Sequence, residues 1–248
     1  MIRTYVTTIM ANYDIVVNMR KDGETMSQEL TYYETPDSLV ELVKKRSETF
    51  HLEGFVKGSG PVKPEVMLIG EAPGETEIHQ LIPFSGRAGA ELMKSLTRAG
   101  LTREDVYMTS AVRSRPYREE WKIDARSGEK VLKRYNRPPT QKEILAHAPI
   151  LDDELRHVQP KILLLMGNIA LRRVLGGKIS VSDVRGMRLY EEALELSSLS
   201  LNTFQKTDRK FRMMATFHPA SIFYNRKLLP LIEADFDHLS GWLKEVTK

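Results

Sequence analysis

The chain contains no cysteine. That one absence excludes disulfide bonds, a thiolate nucleophile, cysteine-ligated zinc and a thiolate-held iron–sulfur cluster. Long apolar runs are missing as well, since none approaches the roughly 20 residues a bilayer-spanning helix needs. Thr7, Asn12 and Asp14 interrupt the N-terminal apolar stretch, which is the wrong pattern for a signal peptide. Neither sign of charge dominates: 37 Lys and Arg stand against 33 Asp and Glu, and the net charge of +4 is only a slight lean toward a polyanionic partner. What is present is ordinary and sufficient. With 41% hydrophobic and 28% charged residues in 248, the chain can bury the core of one α/β domain with elaborations. A cytoplasmic address is expected.

The N-terminal stretch is the least legible. Tyr5 to Met19 is rich in β-branched and aromatic residues around Asn12-Tyr13-Asp14, which predicts a hairpin or strand pair, and Met26 offers an internal start. Residues 1–35 are read as an extension and 36–248 as the main domain. Asp37 reads as an N-cap for a short amphipathic helix carried by Leu39, Leu42 and Val43.

From there the pattern alternates. Val66-Met67-Leu68-Ile69, Val106-Tyr107-Met108-Thr109, Ile162-Leu163-Leu164-Leu165-Met166 and Arg212–Phe217 are short apolar runs of the kind buried on both faces of a sheet. Helices are predicted between and after them: Arg87–Ala99, a long one opened by the capping box Thr140/Glu143 and running to His157, Ile169–Leu175, and Leu228–Glu245. Strand, loop and helix repeated four times imply a three-layer α/β/α fold around a four-stranded parallel sheet. Ligands bind such sheets beyond the carboxyl ends of the strands. The segments that open at Gly70, Ser110, Gly167 and His218 are therefore where chemistry is expected.

Two of these segments carry recognisable features. Gly70-Glu71-Ala72-Pro73-Gly74 is a tight post-strand turn that presents backbone N–H groups, and Pro83-Phe84 sets an aromatic ring just before a helix. Phe217-His218-Pro219 holds a histidine in an extended or turn conformation at a strand end. Taken alone, the first reads more readily as a sharp turn with a core phenylalanine, and the second is a weak signal that an ordinary surface histidine would also give.

Together, in order and spacing, they resemble the uracil-DNA glycosylase superfamily, and within it the family 4 branch. The residues that carry the resemblance are Gly70-Glu71-Ala72-Pro73-Gly74, Glu77, Pro83-Phe84 and Gly86-Arg87-Ala88-Gly89. They continue with Val106-Tyr107-Met108-Thr109, Arg115-Pro116, Pro160, Leu165-Met166-Gly167, Arg185-Gly186 and His218-Pro219. The resemblance implies a DNA glycosylase that flips a nucleotide into its pocket and hydrolyses the C1′–N1 bond with water and no metal. His218, Glu71 and Glu77 would be the catalytic residues, with His218 donating to uracil O2. Gly70, Ala72, Phe84, Ser110 and Asn168 would bind the base. Arg87, Arg113, Arg115 and Arg226 would hold phosphates, and the loop of Ser221, Ile222, Phe223 and Tyr224 would supply an apolar wedge. A monomer acting on DNA, without cofactor, is expected.

The match has departures. Ser114 and His147 stand where two of the family's four cluster cysteines would be. No histidine pair has helical ligand spacing, so a zinc replacement is not expected either. Ile78 replaces an acidic residue, Leu81 a glycine and Ser110 the asparagine that reads the uracil edge. Residues 117–137 form an insertion that reads as a β-hairpin turning at Arg126-Ser127-Gly128-Glu129, locally basic and aromatic; a DNA-contacting flap and a solvated insertion are equally good readings of it. A second insertion, Glu191–Lys210, has no legible chemistry. Three functions follow: a uracil-DNA glycosylase, a glycosylase for another lesion (favoured by Ser110), or a non-catalytic binder on the same scaffold.

Overall fold

The computed structural model of the chain describes residues 7–10, 13–16, 30–200 and 202–247. Three short strands, β1 (Thr7–Met10), β2 (Tyr13–Val16) and β3 (Leu30–Tyr33), make a small antiparallel sheet, so the composition around Asn12 does yield a strand pair. Met26 lies outside the described residues. Thr31 O accepts the Val62 N–H at 2.7 Å, and Tyr33 is buried in the core, which ties β3 to the body of the protein.

Helix α1 (Asp37–Ser47) corrects one expectation. Asp37 is its first helical residue and Pro36 occupies the cap position, with no side-chain cap. The Asp37 carboxylate pairs with Lys57 at 3.0 Å instead of turning back to the helix N–H groups. After β4 (Leu52–Glu53) come β5 (Val66–Gly70), α2 (Glu75–Gln80), α3 (Arg87–Arg98), β6 (Val106–Ser110) and the long hairpin of β7 (Arg115–Ile123) and β8 (Lys130–Asn136). Then follow α4 (Gln141–His157), β9 (Ile162–Met166), α5 (Gly167–Leu175), α6 (Val181–Val184), β10 (Leu189–Leu196), β11 (Phe204–Thr216) and α7 (Leu229–Val246). The capping box of α4 forms as predicted: Glu143 N–H donates to Thr140 Oγ1 at 3.3 Å and Thr140 N–H to Glu143 Oε2 at 2.7 Å.

The main sheet has the order β10-β11-β9-β5-β6. Its four strands β11, β9, β5 and β6 are parallel, as the apolar runs implied. A fifth strand, β10, adds antiparallel to β11, and the two together take up most of the unread stretch 191–210. Its pattern was hidden because cross-strand charge pairs, Glu192 with Lys206 at 3.0 Å and with Lys210 at 3.6 Å, replace apolar residues on an exposed edge.

Alternation along the inner strands fills two cores. Val66, Leu68, Ile162, Leu164 and Met214 pack with α3 and α7 on one face. Met67, Ile69, Leu163, Leu165 and Met213 pack with α4 and α5 on the other. Two buried ion pairs stitch these layers. Arg113 meets Glu154 of α4, which also accepts from Tyr107 at 3.0 Å and Thr109 at 2.6 Å. Asp152 of α4 meets Arg173 of α5 and accepts the Leu196 N–H at 2.9 Å.

Candidate active site

The segments at the carboxyl ends of β5, β6 and β11 converge on one cavity of about 430 Å³, a size typical of small-molecule sites. Ala72, Glu77, Phe84, Arg87, Ser110, Arg113, His218 and Phe223 all line it. Residues scattered over more than half the chain are thus brought together.

Phe84 sits on the floor. Its backbone is left-handed at φ 54, a conformation costly for a large side chain. Close contacts hold it there. A Cβ on Gly89 would lie 1.7 Å from Phe84 O, and one on Gly70 would lie 2.6 Å from the ring tip, so both glycines are required for the ring to lie against the end of β5. Arg103 Nη2 donates to Pro83 O at 2.5 Å and pins the same turn. The Phe84 ring centroid is 6.3 Å from that of His218, tilted by 32°.

His218 follows β11 directly. The strand end is fixed by Thr216 Oγ1, which donates to Asp235 Oδ2 of α7 at 2.7 Å, and by Gly186 N–H, which donates to Ala215 O at 3.0 Å. Arg185 pairs with the same Asp235 at 2.8 Å. The Arg185-Gly186 motif therefore acts as a clasp on the strand that carries the histidine. Ala220 N–H donates to His218 Nδ1 at 3.2 Å. With Nδ1 accepting, the neutral ring must carry its proton on Nε2. Burial lowers the imidazole to about 4, so the ring is neutral at physiological pH and presents one N–H donor.

Ser110 donates its hydroxyl proton to Val112 O at 2.8 Å. It therefore offers the cavity lone pairs only, where an asparagine would offer both an acceptor and donors. Glu77 is buried and accepts Gly74 N–H at 2.9 Å, closing the first turn of α2. Glu71 lies beside the cavity, with its carboxyl raised by burial. Its backbone O accepts Val112 N–H at 3.1 Å and Gly70 O accepts Ala111 N–H at 3.0 Å, which locks the two post-strand loops together.

Four sequence expectations are corrected. Arg113 is fully buried against Glu154 and is a core cation rather than a phosphate ligand. Arg115 is buried too: it pairs with Glu53 and donates from Nε to Asn136 Oδ1. Ile222 is a core residue packed with α7, leaving Phe223 and the 92% exposed Tyr224 as the projecting apolar groups of that loop. Asn168 does not line the cavity, because its Oδ1 accepts Val181 N–H at 2.8 Å and caps the segment leading into α6. Ser221 keeps its hydroxyl enclosed without a partner, whereas Arg87 and Arg226 are exposed. Arg87 lies over the Phe223 ring at 4.6 Å.

Val56, Glu75, Thr76 and Asn136 also line the cavity and were missed. Asn136, the last residue of β8, reaches the rim beside Gly74. Arg115 occupies its Oδ1, so the NH₂ group is left as the free donor. Nothing local marks Asn136, whose position depends on the register of the whole hairpin.

The resemblance implies a four-thiolate cluster, and the residues present do not fit one. Ser114 is a buried hydroxyl, and His147 accepts Arg113 N–H on Nδ1 at 3.2 Å. The His147 ring stacks on Phe55 at 6.1 Å. Among the described residues no three His, Cys, Asp or Glu side chains converge as metal ligands. Arg46 of α1 instead ties this corner together, donating to Ala146 O at 3.2 Å, Leu145 O at 3.0 Å, Leu199 O at 3.1 Å and Asn202 Oδ1 at 2.9 Å.

A parallel sheet capped by a glycine-rich turn, an aromatic floor and a strand-end histidine defines a small-molecule or base-binding site of α/β type. Residues 57–244 match the family described as the uracil DNA glycosylase superfamily, and the chain belongs to it. The family places it among the hydrolytic glycosidases of DNA base-excision repair. The chain is similar to the type-4 uracil-DNA glycosylase of Saccharolobus solfataricus, 32% identical over 186 residues that cover 73% of this chain and 72% of the relative. It is similar also to that of Sulfurisphaera tokodaii, 30% identical over 186 residues covering 73% and 71%. The type-4 uracil-DNA glycosylase of Thermotoga maritima is 28% identical over 221 residues covering 85% and 98%. No described helix is long and apolar enough to cross a membrane.

Proposed function

We propose that this protein is a monofunctional uracil-DNA glycosylase, acting as a monomer on DNA. The observation that carries the reading is the neutral His218, held by Ala220 with its Nε2–H as the free donor, beside Phe84 in one cavity with Ser110. A flipped base would stack on Phe84, its N3–H meeting the Ser110 lone pairs and its O2 the His218 N–H. Cleavage of the C1′–N1 bond leaves an oxocarbenium-like sugar and a uracil anion, with the negative charge growing on O2. A fixed neutral donor aimed there stabilises that charge without first losing a proton. The Glu71 and Ala72 turn would border the attacking water, Glu77 would keep that turn closed, and Arg87 and Arg226 would hold phosphates.

The test is a single-turnover assay on oligonucleotides with one uracil, single-stranded or paired with A or G, alkali revealing abasic sites. His218→Ala is expected to slow excision by about 10²–10³-fold, as loss of a charge-stabilising donor does elsewhere. The wild-type rate should show no inflection near pH 6.5, because His218 stays neutral down to about 4. Undiminished excision by the variant would refute the assignment. The commitment of the Ser110 hydroxyl to Val112 O favours one second reading, a base with a donor and no paired acceptor at that edge. A lesion panel with wild type and Ser110→Asn separates the two.

A further inference from the structure

Beyond its root on β4, the β7–β8 ribbon has no third strand beside it among the described residues. Such a ribbon is marginal on its own. Here it is braced by rings under cations: Arg134 over Tyr117 at 4.4 Å, Lys122 over Tyr135 at 4.8 Å and Lys130 over Trp121 at 5.4 Å. Beside it runs a second depression of about 910 Å³, with Arg118, Lys133 and Tyr135 on the ribbon side and His79 opposite. Glu75, Asn136 and Tyr224 border both this groove and the active-site cavity, so the two are continuous.

The chemistry of the groove is specific. Its Glu53 is already neutralised by Arg115 and Arg134. Lys133 has no ion-pair partner among the described residues, and the exposed Arg118 pairs only with the half-buried Glu120. Surface pairs of that kind are worth little and are readily exchanged for a phosphate. Cations spaced along an open groove, with the half-buried Tyr135 ring and the exposed Tyr224 ring beside them, match a strand that carries a charge on every unit and flat rings between them. An acidic protein segment would use the cations but leave the rings without partners.

We propose that this groove holds the target DNA strand where it leaves the pocket, with its phosphates on Arg118 and Lys133 and a base against Tyr135. The proposal rests on the reading of the cavity as a DNA site. It gives the insertion a purpose: extending the footprint on the strand being repaired.

The full-length protein is tested with single-stranded uracil oligonucleotides, one of about four nucleotides that spans only the pocket and one of about sixteen. The variants are Arg118→Glu/Lys133→Glu, the milder Arg118→Gln/Lys133→Gln, and Tyr135→Ala, all checked by thermal melting. For the long oligonucleotide, the charge reversal should weaken binding more than tenfold, and neutralisation should flatten the slope of log affinity against log salt by about 1.4, the value for two single-strand phosphate contacts. Tyr135→Ala should weaken it about fivefold or more. Excision from the short oligonucleotide should be unchanged. Equal affinity and salt slope in wild type and variants, with excision intact, would overturn the groove assignment alone. A wild-type protein that neither binds nor excises would overturn the pocket reading and the groove together. Loss of polyglutamate binding with DNA affinity retained would give the groove to an acidic protein partner and likewise overturn the proposal.

Discussion

Leu81 shows at the scale of one residue how a departure from the family pattern falls where the backbone is most constrained. It follows α2 with φ 57 and ψ 25, and its N–H donates to Glu77 O at 2.8 Å. This is the left-handed end of a helix, where glycine is favoured and a branched side chain costs about 1–2 kcal/mol. The family resemblance expects glycine here, and the backbone has kept the glycine conformation. Leu81→Gly is therefore expected to raise stability by about 1 kcal/mol, and Tm by about 2–4 °C for a chain of this size, in a thermal melt. Failure to stabilise would mean that the 63% exposed leucine contributes something the free protein does not display. His218, Phe84 and Ser110 were all legible from sequence, because each sits one or a few residues from a strand end or glycine turn. Arg113, Arg115 and Asn168 were misread for a common reason. A charged or amide side chain near a site looks like a ligand contact until its partner, on a distant element, is seen. Glu154, Glu53 and the Val181 N–H are such partners.

At the scale of elements, two ties between helices and sheet replace what the residue pattern could not show. Glu154 accepts from Tyr107 and Thr109 of β6 and pairs with Arg113, so α4 sets the position of the loop that begins at Ser110. Glu154→Gln would leave the Arg113 cation buried without its counter-charge. A loss of about 3–5 kcal/mol in urea unfolding is expected, and a loss below 1 kcal/mol would show that water reaches Arg113. Arg46 likewise joins α1 to α4 and to the 199–202 segment through four acceptors. Arg46→Ala should cost about 1–3 kcal/mol. Arg46→Lys should recover little of it, because one ammonium cannot reproduce the planar fork. Full recovery by lysine would reduce the contact to simple charge. The four parallel strands were readable because burial on both faces forces continuous apolar runs. β10 was not, since its edge position let charge pairs take the place of apolar alternation.

For the whole molecule, the two enclosed histidines couple stability to pH. Burial lowers His147 to about 3, with the Arg113 cation adding to the effect, and lowers His218 to about 4. In the unfolded chain both take up protons near pH 6.5, while the native state does not. The unfolded state then binds more protons, so stability falls as pH drops below about 6.5, by about 1.4 kcal/mol per pH unit for each histidine. Both contribute down to about pH 4, and His147 alone from there to about 3. His147→Gln keeps an acceptor for Arg113 N–H but does not titrate. Between about pH 6 and 5 its unfolding free energy should fall less steeply than that of wild type, by about 1 kcal/mol per pH unit; an unchanged slope would refute the assignment. The corner that His147 shares with Phe55 and Arg46 has a wider consequence. Closed by an imidazole, a phenyl ring and a guanidinium, it holds no thiol on which an oxidant or a chelator could act. The protein's melting temperature is therefore expected to be the same with and without a chelator or a reductant in the buffer.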